Sequence, residues 1–140
     1  MSGIVCDTSG LLAFFDAAEA YNRPVADVIA AEPGPFVVSP FVLAELDFLL
    51  ATRRGATAEI AALSELASGA WELATFDVSD LRRTAEVVGR YRDQEIGLTD
   101  ASLVVLARRY RTDRVLTLDH RHFGVVRTLE NAPFELLPGR

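Results

Sequence analysis

The chain alternates short apolar runs with longer stretches of helical character, and two of the short runs end on an aspartate. Ile4-Val5-Cys6 stops at Asp7-Thr8-Ser9-Gly10, and Val115-Leu116-Thr117-Leu118 stops at Asp119. Runs of this length read as buried strands. Leu11–Ala18 reads as a helix following the first of them, and Asn22-Arg23-Pro24 opens a second helix with Val25, Val28 and Ile29 on one face. Pro33-Gly34-Pro35 stops it before a second apolar run, Phe36-Val37-Val38. Ser39-Pro40 caps a helix through about Arg54, Gly55 ends it, and Thr57 begins another that runs to Gly69. Trp71–Phe76 alternates as a half-exposed strand does, Asp77–Asp93 is an amphipathic helix, and Gly97-Leu98-Thr99-Asp100 leads into a helix through about Arg111. Phe134–Leu137 reads as a last short strand. Strand and helix in steady alternation predict a parallel sheet with helices on both faces.

No internal repeat or linker interrupts this order, so residues 1–140 read as a single domain. Half of the residues are apolar, which excludes disorder. All 14 basic residues are Arg and none is Lys. That excludes a P-loop lysine, Schiff-base chemistry and Ser-Lys nucleophile activation. It also removes receiver domains and haloacid-dehalogenase-like phosphatases, acidic-site α/β families that set a lysine beside their aspartates. A lone cysteine, Cys6, rules out an internal disulfide or a cysteine-based zinc site. The N-terminus does not read as a signal peptide, and the longest apolar runs fall far short of the ~18 residues of a membrane span, so a cytoplasmic protein is expected. The net charge of −6 is uneven: residues 1–50 carry seven acids against Arg23 alone, and the remainder is balanced. Taken alone, that acidity argues against a non-specific polyanion binder.

In doubly wound sheets the active site lies outside the carboxyl ends of the strands, where Asp7 and Asp119 sit. Either aspartate serves equally as a turn residue or as the cap of the next helix, and Asp100 has the same two readings at the start of its helix. Glu45 and Asp47 both have apolar neighbours three and four positions away, and periodicity does not choose between them. Carboxylates gathered in one cleft repel each other unless a cation neutralises them, and all-oxygen ligation selects Mg²⁺ or Mn²⁺. Such a cluster suits phosphodiester hydrolysis by activated water.

These residues fall in four blocks: Val5-Cys-Asp-Thr-Ser9, Ser39-Pro-Phe-Val-Leu-Ala-Glu-Leu-Asp47, Gly97-Leu-Thr-Asp-Ala-Ser102 and Leu116-Thr-Leu-Asp-His-Arg-His-Phe123. In this order and at these intervals the chain resembles the PIN-domain ribonucleases, and among them the VapC toxins of type II toxin–antitoxin pairs. The resemblance covers nearly the whole sequence. It implies a PIN-like three-layer α/β/α sandwich around a mostly parallel sheet of four to five strands. It implies Asp7, Glu45, Asp100 and Asp119 as catalytic, metal-binding acids, choosing Glu45 over Asp47. Thr8, Ser9 and Thr99 match positions that hydrogen-bond around the acids, with simple helix capping as the alternative for each, and Arg121 is a candidate for phosphate contact. The activity implied is a Mg²⁺- or Mn²⁺-dependent endoribonuclease cutting structured RNA such as tRNA or rRNA loops. The implied partners are a second copy of the chain and a VapB-type antitoxin, in a homodimer or a larger assembly.

Many family members carry a further acid shortly after the position of Asp119, where this chain has His120-Arg121-His122. Both histidines read as weak metal ligands, phosphate contacts or general acids on one side and as packing or surface residues on the other. Their loop position and the apolar neighbour Phe123 favour the second reading. Arg53, Arg54, Arg108, Arg109, Arg111 and Arg114 either complement helix dipoles or meet an RNA backbone. Two other readings remain: a catalytically degenerate PIN domain that binds RNA or protein, and a phosphatase or DNA nuclease sharing the metal chemistry.

Overall fold

The computed structural model of the protein describes residues 3–139. Five parallel strands form its sheet: β1 (Ile4–Cys6), β2 (Phe36–Val38), β3 (Glu72–Leu73), β4 (Arg114–Leu116) and β5 (Glu135–Leu137), in the order β3-β2-β1-β4-β5. The central strands β1 and β2 are buried along their whole length, as strands covered on both faces must be.

The connections place the helices. Helices α1 (Thr8–Phe15) and α2 (Asn22–Ala31) link β1 to β2, and α3 (Pro40–Arg54) and α4 (Ala56–Leu66) link β2 to β3. Both crossovers step the same way across the sheet. From β3 the chain returns past β2 and β1 to β4 through α5 (Val78–Arg90) and α6 (Leu98–Arg109). Right-handed crossovers in opposite directions put α1–α4 on one face and α5–α6 on the other. The strand order therefore reverses between β1 and β4, and a crevice opens at their carboxyl ends. A one-turn helix, α7 (His120–Phe123), follows β4, and Phe123 beneath it is buried edge-on against Phe134.

Three differences from the expected elements have local causes. Helix α1 stops at Phe15 rather than Ala18, because Asp16 Oδ1 accepts the Ala18 N–H at 3.0 Å and turns the chain. The same oxygen accepts two guanidinium N–H groups of Arg54 at 3.0 and 2.7 Å, which hold the Asp16 carboxyl below its ordinary range. Strand β3 is two residues long instead of six, since Trp71 leaves the edge to pack with Phe14, Phe15 and Phe36. The segment after Asp119 is helical rather than a loop, capped by the Asp119 carboxylate on the His122 N–H at 2.9 Å.

One close approach holds the crevice together. A Cβ at Gly10 would stand 2.5 Å from the Leu116 carbonyl oxygen, so the start of α1 lies directly on the end of β4. Only glycine allows it. Gly10→Ala is expected to cost about 1–3 kcal/mol through overpacking against backbone that cannot yield. Chemical denaturation checks this, and an unchanged midpoint would show that α1 does not need the contact.

Candidate active site at the strand switch

Asp7 follows β1 and Asp119 follows β4, so the reversal of strand order brings them to one crevice. Asp100 enters from the first turn of α6 on one side of the sheet, and Glu45 from α3 on the other. With Thr8, Ser9, Leu12, Leu49, Arg53 and His122 they line a cleft of 340 Å³. Clefts of 690 and 540 Å³ open elsewhere on the molecule, so chemistry rather than size marks this one.

Asp7 is buried and makes no helix-capping bond. Its Oδ2 instead accepts the hydroxyls of Ser9 at 2.9 Å and Thr117 at 2.7 Å. Those hydroxyl oxygens in turn accept the backbone N–H groups of Leu118 and Asp119, both at 2.9 Å. Each hydroxyl thus donates to the first strand's carboxylate and accepts from the chain leaving the fourth. The two strand ends are tied together by this lattice. Thr117 was not singled out in the sequence; its signal is a polar residue at a fully buried position, two before Asp119.

Helix α3 presents Glu45, Leu49 and Arg53 at intervals of four, one stripe facing the cleft. Glu45 itself is exposed, so it bears none of the burial cost that its apolar neighbours suggested. Asp47 lies outside the cleft lining and meets Glu59 of α4, whose carboxyl its contact pushes up. A buried pair of serines sets the spacing of α3 and α6: Ser39 Oγ and Ser102 Oγ lie 2.9 Å apart, and Ser102 donates to the Thr99 carbonyl at 2.6 Å. With its proton so used, Ser102 accepts from Ser39. Thr99 contributes that backbone carbonyl, and its side chain lies outside the cleft lining, as does exposed Arg121.

His122 lines the cleft, so of the roles open to it the fold does not give it the favoured packing or surface one. The turn of α7 brings its Nδ1 to 3.0 Å from Asp100 Oδ2 and 3.0 Å from Asp119 Oδ2. Neither contact is aligned as a hydrogen bond, and Nδ1 is a buried polar atom without a hydrogen-bond partner. Thr8 Oγ1 is another, and it lines the same cleft. Among the other arginines considered, Arg54, Arg109 and Arg114 spend their guanidiniums on Asp16, Asp80 and Glu32.

The electrostatics match a site built for a cation. Burial, opposed by the two hydroxyls, raises the Asp7 carboxyl. Burial, together with the charges of Asp7 and Asp119, pushes Asp100 up to about 6, although His122 works the other way. Carboxylates that resist ionising side by side, with two polar atoms left unpaired, form a donor set that fits a hard divalent ion.

The sequence profile of the PIN domain matches residues 4–128. The chain belongs to the PIN-domain family. The PIN-domain chain is 50% identical over 135 residues to Ribonuclease VapC26 of Mycobacterium tuberculosis, covering 96% of this chain and all of that one. Its fold matches the crystal structure of Mycobacterium tuberculosis VapC20, a Sarcin-Ricin loop cleaving toxin, with a TM-score of 0.78 at 24% identity, over 84% of this chain and 90% of the other. It also matches VapBC2 from Rickettsia felis bound to a DNA fragment from their promoter, with a TM-score of 0.69 at 16% identity, over 95% and 97% of the two chains. Both structures share the PIN fold described above.

Two outcomes follow from this PIN-domain site. Because the folded Asp100 carboxyl titrates near 6 rather than 3.8, its contribution to metal-free stability is full below about pH 3.8 and lost as pH rises through 6. Asp100→Asn should therefore stabilise the protein in EDTA at pH 7.5 by about 1–2 kcal/mol after solvent screening, and by nothing near pH 4. Thermal melts at the two pH values test it; equal shifts at both would remove the electrostatic cause. Thr117→Val, which leaves Asp7 one donor short, should weaken Mn²⁺ binding by about 10–100-fold in calorimetry.

Proposed function

We propose that this chain is a metal-dependent endoribonuclease, the toxin of a type II toxin–antitoxin pair. The observation that carries the reading is a cleft lined by Asp7, Glu45, Asp100 and Asp119, in a chain half identical along its length to a ribonuclease. In this reading Asp7 and Asp100 hold Mg²⁺ or Mn²⁺, with Asp119 and Glu45 completing the pocket directly or through water. The bound ion supplies a Lewis acid for a phosphate oxygen and a water of lowered pKa.

The chain's own groups do the rest. Ser9 and Thr117 fix the plane of the Asp7 carboxylate, so it is preorganised rather than drawn into place. Asp119 is anchored through its other oxygen by the α7 cap. Arg53 stands at the cleft with half of its side chain exposed and a contact of 3.4 Å to Glu19, which leaves it available to a phosphate. Leu12 and Leu49 supply apolar wall. The hydroxyls of Ser9 and Thr117 are spent on Asp7, and the nucleophile in this reading is water.

The substrate is proposed to be a structured RNA, a tRNA or rRNA loop, whose cleavage stops translation and growth. An antitoxin of the VapB type and a second copy of the chain are the proposed partners. Exposed Phe48, Ile60 and Leu63 on α3 and α4 favour a covered surface there. No helix among the described residues is long and apolar enough to cross a membrane.

Purified protein incubated with matched RNA and DNA hairpins tests the proposal. RNA cleavage is expected with Mn²⁺ or Mg²⁺, none in EDTA, and a loss of at least about 100-fold in Asp7→Asn and Asp100→Asn with circular dichroism preserved. Equal cutting of DNA would replace the ribonuclease reading. RNA binding without metal or cleavage would favour a degenerate binding module.

A further inference from the structure

The sequence pattern gives this site four acids, yet its geometry contains a fifth donor. We propose that His122 is itself a ligand of the divalent ion, so that an imidazole joins the carboxylates and biases the site toward Mn²⁺ over Mg²⁺. The inference rests on the metal-dependent reading above and concerns which side chains hold the ion.

Three donor atoms, from Asp100, Asp119 and His122, lie within 4.8 Å of one another. Two of the separations, from Nδ1 to each carboxylate oxygen, are 3.0 Å. Adjacent donors on an octahedral ion with bonds of about 2.1 Å stand about 3 Å apart, so both separations suit neighbouring ligands of one centre. A protonated imidazole offers a different account, but its Nδ1–H would point at one carboxylate or be shared between the two, and neither contact has the alignment of a hydrogen bond. Equal contact with two carboxylates, hydrogen-bonded to neither, fits a lone pair directed at a point the three donors share.

The imidazole is also held where a ligand must be. Its backbone N–H is bound by Asp119 Oδ1, so cap and metal-site oxygen belong to one carboxylate. The next residue, Phe123, is 1% exposed and anchors the turn in the core. The side chain of His122 is 23% exposed, little enough to be directed and enough to admit an ion. His120 opens the same turn and does not line the cleft. Imidazole nitrogen is a softer donor than carboxylate oxygen. It gains more with Mn²⁺ and the later divalent metals than with Mg²⁺, which prefers oxygen and retains its waters.

Calorimetric titration of the full chain with Mn²⁺ alone and Mg²⁺ alone tests the proposal, alongside proton NMR of the Co²⁺-loaded protein. Wild type should bind Mn²⁺ more tightly than Mg²⁺. His122→Ala should lose about 10–100-fold in Mn²⁺ affinity and much less in Mg²⁺ affinity. His122→Asn puts an oxygen near the place of Nδ1 and should retain Mg²⁺ binding while losing the Mn²⁺ preference. The Co²⁺-loaded protein should show a paramagnetically shifted, solvent-exchangeable imidazole N–H that persists in His120→Ala and vanishes in His122→Ala. If Asp7→Asn abolishes Mn²⁺ binding while His122→Ala leaves it unchanged or tightens it, as loss of a competing imidazolium would, the ligand assignment fails and the metal-dependent reading stands. If wild type binds neither ion, both fall together. Melting curves of the metal-free variants separate loss of a ligand from loss of the fold.

Discussion

Mutual repulsion of carboxylates at adjoining strand ends is the constraint around which this structure is arranged. Asp7 and Asp100 are both raised by burial and by neighbouring acids, so the fold pays in stability for every carboxylate it gathers there. Two neutral hydroxyls lessen that cost without supplying charge. Ser9 and Thr117 donate to Asp7 and accept from the backbone of the neighbouring strand end, so the most buried acid of the cleft is also the best hydrogen-bonded of its four. Gly10 makes this possible, because α1 can bring Ser9 to Thr117 only if nothing stands between Gly10 and Leu116.

The same elements that place the acids also limit their motion. Asp7 hangs from β1 and Asp119 from the end of β4, while Asp100 and Glu45 stand on helices joined by the buried Ser39–Ser102 contact. A site carried on rigid elements holds its donors near their working positions before any ligand arrives. The acidity of the chain is then no obstacle to a polyanionic substrate. The excess negative charge lies in residues 1–50, which contribute Asp7 and Glu45, and a divalent ion would offset it where phosphate must approach.

Much of this was legible in the residues. The strand–helix alternation predicted a parallel sheet, and the four motif blocks pointed to the PIN-domain family and to Asp7, Glu45, Asp100 and Asp119, which share one cleft. Other features were not legible, for physical reasons. Asp7 and Asp119 looked alike as caps, and only one of them caps with its side chain. Asp119 caps α7, whereas Asp7 gives its carboxylate to Ser9 and Thr117. Periodicity left Glu45 and Asp47 level because helical spacing says which residues share a face and not what that face meets. The α3 stripe with Leu49 and Arg53 meets the cleft, and Asp47 meets α4.

His122 marks the boundary most sharply. The sequence by itself determined the alternation, the strand-end aspartates and the absence of lysine, because local pattern and composition reach that far. Whether a histidine three residues beyond Asp119 is surface or site depends on one turn of helix and on where α6 delivers Asp100. Those are distances between elements remote in the chain. Only the tertiary structure decided them, since packing and crossover handedness act on faces and strand ends that the linear order does not display.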